Sequence, residues 1–290
     1  MRSAAEGTDA TEVLRWAAGH LEVSGEPVLV KRRPWSRVWW LPTAGGRAWL
    51  KACPPALAHE VALVVVLAAR GAPHVLAPLA ADAARGWLLL PDGGPTLRDA
   101  GEEQDRWPAA LAGYAELQRA ATPQAAELLA AGVPDTRPEV LAEVAADVVG
   151  RRAPHLRHLL PLVADEAAEL AELGPAPTVQ HDDLHDGNVF AAGLRPFDWG
   201  DACVGHPFTS LRVGARTGHA DGDRTAYLAG WSGDPARLHR AADLATHLGS
   251  ITRALSWERA LTSVPGAPPP EFSGAVVGWL ERLAEPTGRP

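Results

Sequence analysis

The residues of this chain best equipped for chemistry form one run, His181-Asp182-Asp183-Leu184-His185-Asp186-Gly187-Asn188, followed ten residues later by Asp198-Trp199-Gly200. Asn188 is the only asparagine among 290 residues, and it stands five positions after Asp183. One carboxylate to hold an incoming hydroxyl, with an amide oxygen and a second carboxylate to hold magnesium, are the parts that phosphoryl transfer asks of a protein. A lone Asn beside Gly is also an ordinary turn residue, so the run takes its meaning from its surroundings. A second rarity supports it. Lysine occurs only at Lys31 and Lys51, although the chain has 27 basic residues. An ammonium is a compact point charge, whereas a guanidinium is a wide planar fork. A cleft that sets one charge against a nucleotide's phosphates has a reason to keep Lys51; a strand-edge lysine in water is the plainer alternative.

The elements that must position these groups can be read from pattern. Residues 27–31, 36–41 and 46–52 read as strands with a turn at Thr43-Ala44-Gly45-Gly46, and Lys51 lies in the third. A helix over 56–70 ends at Gly71, and 74–80 and 86–90 read as two more strands. Pro91-Asp92-Gly93-Gly94-Pro95 then breaks the pattern and marks the division, with residues 1–91 forming one lobe and 92–290 the other. Beyond it, 97–120, 123–131, 138–149 and 156–173 are Ala/Leu/Glu-rich and helical. A β interruption over 178–197 carries the acidic run, helices follow, and Gly266-Ala267-Pro268-Pro269-Pro270 is a stiff connector before the last one. His181-Asp182 and His185-Asp186 would share a helix face and offer metal ligands for a hydrolase. Gly187 and the strand formers Val179 and Val189 oppose a helix there.

Composition excludes some classes. Residues through Pro91 carry ten Lys/Arg against seven Asp/Glu, and the remainder seventeen against twenty-eight. No part is strongly basic, so nucleic acid is not the expected partner. A basic first part and an acidic second part suit a polyanionic cofactor and admit a cationic small-molecule substrate. Trp231, Asp234, Trp257 and Glu258 are candidates for a cation-friendly pocket, and equally for packing or surface. Cys53 and Cys203 give neither a disulfide framework nor metal-ligand spacing. Met1 to Ala10 lacks an apolar core, and the longest apolar stretch, 61–69, is too short to span a bilayer. These features place the chain in the cytoplasm and leave its oligomeric state open.

The chain resembles the aminoglycoside phosphotransferase/choline kinase group of small-molecule kinases, relatives of protein kinases. Their His-Gly-Asp-Leu-His-x-Gly-Asn signature, followed by a hydrophobic-Asp-Trp/Phe-Gly/Glu segment, is met by His181 to Asn188 and Phe197 to Gly200. With Lys51, the helix after it and the Pro91 hinge in order, the resemblance spans 28–211. It implies a bilobal α+β fold, an antiparallel five-stranded sheet with one helix and then a mainly helical lobe. It also implies ATP and Mg2+ as cofactors. Carried over, Asp183 is the catalytic carboxylate, Asn188 and Asp198 are metal ligands, Lys51 contacts the nucleotide phosphates, and Glu60 pairs with Lys51. Ser36 stands at the phosphate turn, and Leu90 and Asp92 at the hinge facing adenine. The reaction implied is transfer of the γ-phosphoryl group to a hydroxyl of an aminoglycoside, amino alcohol or sugar. A nucleotide-binding pseudokinase is the alternative from another class. A protein kinase is disfavoured, since no Ala-Pro-Glu-like motif follows Asp198.

Four departures from the family pattern stand out. Asp182 replaces a glycine. His206 and Ser210 replace two acids of a Gly-Asp-Pro-x-x-Asp-Leu segment, the second of which braces the catalytic loop. Arg32-Arg33-Pro34-Trp35-Ser36 occupies the place of a glycine-rich phosphate loop. Pro91 brings a residue without an N–H to the hinge. His181 is expected to orient the loop, and the role of His185 stays open between substrate contact and support.

Overall fold

The computed structural model describes residues 10–214, 220–263, 265–266 and 269–287. Met1–Asp9, expected to be free of a targeting segment, and residues 267–268 of the proline-rich connector lie outside them. Five strands, β1 (Val28–Arg33), β2 (Ser36–Thr43), β3 (Gly46–Ala52), β4 (Ala80–Asp82) and β5 (Trp87–Pro91), form an antiparallel sheet in the order β1-β2-β3-β5-β4. Period-2 alternation sorts β3. Ala48, Leu50 and Ala52 face a small core with Trp39, Leu41, Trp87 and Leu89, which leaves Lys51, paired in register with Leu88, on the opposite face. Helix α1 (Ala10–Ala18) covers that small core through Val13 and Ala17. It is an additional helix beside the single one expected.

Helix α2 (His59–Ala69) lies on the Lys51 side and sends Val61, Leu63, Val64 and Leu67 into the large core of the C-terminal part. The expected strand over 74–80 is a correction: only its last residue enters β4, and His74 sits at φ 60. Pro73, Pro78 and that left-handed residue deny the segment a regular ladder.

The C-terminal part is helical. It contains α3 (Leu97–Ala100), α4 (Glu103–Ala121), α5 (Ala125–Ala130), α6 (Pro138–Arg152), α7 (Leu160–Leu173), α8 (Leu211–Gly214), α9 (Ala220–Leu228), α10 (Pro235–Thr262) and α11 (Ala275–Leu280). Gly101, at φ 66, separates α3 from α4 where one helix was expected. Helix α10 starts at an Asp234 cap, whose carboxylate accepts from the Arg237 N–H at 2.9 Å, with Pro235 as the first residue. From Ala241 to Ala254 nearly every side is buried, so this helix runs through the core and not along its surface. Short strands β6 (Asp135–Thr136), β7 (Thr178–Gln180) and β10 (Cys203–Gly205) pair as one sheet, and β8 (Val189–Phe190) with β9 (Arg195–Pro196) as another. The acidic run lies between β7 and β8. Among the described residues, no helix is long and apolar enough to cross a membrane.

Candidate active site

Lys51 is the centre of the arrangement. Its Nζ is 2.7 Å from Glu60 of α2 and also donates to Asp198. Burial disfavours its charge, but Asp198 and Glu60 outweigh that and hold its pKa above the ordinary lysine value. Lys51 in turn pulls the Asp198 carboxyl well below the usual range, against the effect of burial. Lys31, the chain's other lysine, reaches the second Asp198 oxygen at 3.4 Å. Both lysines therefore meet on one carboxylate. Asp198 adopts φ 62, a left-handed conformation uncommon for a residue with a side chain. Gly200 follows so closely that a Cβ there would lie 3.4 Å from both Lys51 Nζ and Glu60 Oε2.

The acidic run from His181 to Asn188 is fixed from several sides. The His181 ring packs 4.7 Å from Trp199, and its Nε2 is 2.8 Å from the Phe197 carbonyl. Burial drops its pKa to about 4, so the imidazole is neutral and donates that proton. It ties the start of the run to Phe197 and Trp199. Asn188 Nδ2 donates to the Asp183 carbonyl at 3.0 Å, which leaves the amide oxygen as the donor for a cation. His185 accepts from the Gly187 N–H at 3.0 Å and stands 3.9 Å from Asp183. Arg98 of α3 grips Asp186 at 2.5 Å. The two His-Asp pairs thus point to different partners. Among the described residues, no three His, Cys, Asp or Glu side chains gather to hold a metal.

The replaced acids have substitutes. Ser210 Oγ donates to Gln180 at 2.7 Å and lies 2.9 Å from the Tyr114 hydroxyl, which accepts from the His181 N–H at 2.9 Å. Gln118 donates to Tyr114 at 3.1 Å and to the Val179 carbonyl at 2.9 Å, and Tyr227 donates to Gln118. A neutral buried network, and no carboxylate, holds the start of the acidic run. His206, kept neutral by burial with a pKa of about 4, bonds to the Gly174 carbonyl at 3.2 Å.

One feature escaped sequence reasoning. Arg253 of α10, 4 % exposed, lies 3.2 Å from Asp183 Oδ1 and 3.0 Å from Asp201 Oδ2. Ser256 donates to Asp201 as well. Thr252 donates at 2.6 Å to Asp182, which is buried at φ 61 with its other oxygen unpartnered. Arg253, Ser256, Trp257 and Ala260 share one face of α10, but in a helix buried on nearly all sides that spacing does not stand out in the sequence.

A cavity of about 210 Å³ gathers these groups. Of the expected site residues, Ser36, Lys51, Glu60, Asp183 and Asp198 line it. Asn188 lies outside the lining, held to Asp183 through its amide. Leu90 and Asp92 lie elsewhere: Leu90 pairs with Trp49 across the sheet, and Asp92 accepts from Trp49 Nε1 at 3.1 Å, Arg47 at 3.0 Å and the Gly94 N–H at 3.1 Å. Those three donors pin the hinge turn.

A model of the phosphotransferase enzyme family matches residues 33–244, well over half of the chain. The chain belongs to that family. A search of curated proteins found no match for this phosphotransferase. Among solved structures it is similar to macrolide 2'-phosphotransferase MphH from Brachybacterium faecium, at 21% identity over 97% of this chain and 99% of the other, with a TM-score of 0.58. It is also similar to a choline/ethanolamine kinase family protein from Mesorhizobium loti, at 16% identity over 94% and 96%, with a TM-score of 0.62. The GDP complex of an aminoglycoside 2'-phosphotransferase-IIIa aligns at 14% identity over 95% and 96%, with a TM-score of 0.63. At these identities the likeness is one of fold, and the α+β architecture read from the sequence is that fold.

Proposed function

We propose that this phosphotransferase moves the γ-phosphoryl group of ATP to a hydroxyl of a small molecule, with magnesium. The observation that carries the reading is that Lys51, Glu60 and Asp198 are interlocked in a cavity that Asp183 also lines. On this reading residues 1–91 hold the nucleotide, and 92–290 supply the metal ligands and the acceptor site. Lys51, held by Glu60, meets the phosphates, while the β1–β2 turn with Ser36 closes over them. Leu90 and Asp92, at the hinge outside that cavity, would border the adenine.

Asn188 and Asp198 would hold the ion. Both offer hard oxygen donors, and magnesium is commonly bound by one or two protein ligands together with substrate phosphates. When bound, it neutralises charge on the phosphate oxygens. Asp183, its carboxylate fixed by Arg253, accepts the hydrogen bond of the acceptor hydroxyl and aims that oxygen at the γ-phosphorus. The new O–P bond forms as the bond to the bridging oxygen breaks. ADP leaves, and the hydroxyl proton passes to Asp183. The cytoplasm, where ATP is held, is the compartment that this reading assigns. GDP and kanamycin complexes of an APH(2")-type structural neighbour support a nucleotide donor and a small-molecule acceptor in this fold.

Asp183→Asn tests the assignment. Its carboxylate acts on the acceptor and not on the nucleotide, so turnover should fall by a thousandfold or more while calorimetry gives nucleotide affinity near wild type. Retained turnover in that variant would remove Asp183 from the mechanism. A wild type that binds nucleotide but transfers to no acceptor would instead point to the regulatory alternative.

A further inference from the structure

The lining of the cavity combines a charge-balanced set of polar groups with an aromatic wall. Trp35 at the β1–β2 turn, Trp257 of α10 and Phe272 beyond the connector come together from three separate segments. Trp257 and Phe272 stack at 5.3 Å, and Trp35 meets them edge-on at 5.9 and 5.1 Å. All three are only partly buried. Trp257 lies one helical turn beyond Arg253, which holds Asp183. A hydroxyl seated at Asp183 therefore has the body of its molecule within reach of Trp257.

The charges decide what that body can be. The lining holds four carboxylates and four cations. Lys51 meets Glu60 and Asp198, Lys31 meets Asp198, and Arg253 meets both Asp183 and Asp201. The fourth cation, Arg33, stands 5.4 Å from the centre of the Phe272 ring, where a bound ammonium would otherwise find the ring's negative face. The acids that sequence alone offered for a cation pocket point elsewhere. Glu258 pairs with Arg151 at 2.6 Å and Arg152 at 2.7 Å, and Asp234 caps α10. Trp231 packs against Phe208 and Tyr227. Glu271, next to Phe272, does not line the cavity. A sugar with several ammonium groups would need several uncommitted carboxylates, and the lining described offers none.

We propose that the acceptor is an alcohol with an aromatic or extended apolar face and at most one positive charge, lodged against Trp257 and Phe272, and not a polyamino sugar. This rests on the phosphotransferase reading above and narrows its substrate. Calorimetry on the full chain gives the test. A first titration with magnesium and a non-hydrolysable ATP analogue establishes the nucleotide site. 4-Nitrophenyl β-glucoside and kanamycin are then titrated separately into the saturated protein. The aryl glycoside should bind at least tenfold more tightly. Trp257→Leu and Phe272→Leu, each shown to be folded by a single melting transition, should weaken it by tenfold or more. Kanamycin binding equally or more tightly would overturn the proposal, as would an aryl glycoside that fails to bind while the nucleotide does. Folded variants that bind the glycoside like wild type would overturn it too. No heat in the first titration would overturn the phosphotransferase reading itself. The comparison in wild type stands even where a variant does not fold.

Discussion

Asp182 gives a prediction whose size follows from the structure. Its carboxyl is 1 % exposed, one oxygen has no partner, and burial raises its pKa from 3.8 to about 7, with Arg253 and Thr252 only partly opposing. Its backbone sits at φ 61, where glycine is at ease and an L residue is strained by roughly 1 kcal/mol. The perturbation is Asp182→Gly. Below the unfolded pKa, native and unfolded chains both hold the proton and the carboxyl carries no pH-dependent penalty. Between there and about 7 the unfolded chain has released it and the native chain has not. Wild-type stability then falls by about 1.4 kcal/mol per pH unit, and it levels off above. From pH 5 to pH 8 this group alone removes roughly 2–3 kcal/mol by that linkage. Glycine abolishes the term. At pH 5 wild type has already lost about 1.6 kcal/mol of this term, and the variant should lead by roughly that amount, since relieved backbone strain offsets the added unfolded-state freedom of glycine. The Thr252 hydroxyl still has the Gly249 carbonyl at 3.0 Å. At pH 8 its lead should have grown by the further roughly 2–3 kcal/mol. Urea unfolding of both proteins at the two pH values measures this, and only the pH dependence matters, because any constant loss cancels. Parallel stability–pH curves would show that Asp182 is ionised in the native state and that the burial argument fails.

Three further outcomes are expected around the site. Lys51→Arg keeps the charge but must fit a planar fork between Glu60 and Asp198; kcat should fall a hundredfold or more with little change in melting temperature. Asn188→Ala and Asp198→Ala should each lose most of the magnesium-dependent part of the thermal shift given by ATP, and an undiminished shift in both would exclude them as ligands. Tyr114→Phe removes the hydroxyl that accepts the His181 N–H and should lower stability by about 1–3 kcal/mol in urea unfolding, since that donor is left unpaired in the core.

What was legible in the sequence is what chemistry had made locally dense or compositionally rare. Asp183 and Asn188 stand in one short loop with Asp198 shortly after it, and Lys51 is one of two lysines, so residue type and spacing sufficed. Glu60 followed once a helix was placed after the Lys51 strand. The illegible part of the site comes from far along the chain. Arg253, Ser256 and Trp257 occur in a helix that is buried on nearly all sides, so no polar stripe distinguishes the face that meets Asp183 and Asp201. The same is true of the brace at Ser210: neither Tyr114, Gln118 nor Gln180 is unusual alone, and only folding brings their polar atoms within hydrogen-bond distance. Asp182 joins the two regions. At a left-handed position where the family pattern has glycine, it gains the Thr252 hydroxyl and the field of Arg253, both from α10. The departure in the catalytic run and the arginine missed in the last long helix are therefore one local arrangement. The identity of residue 182 has to be read together with residues 252 and 253, seventy positions away in sequence.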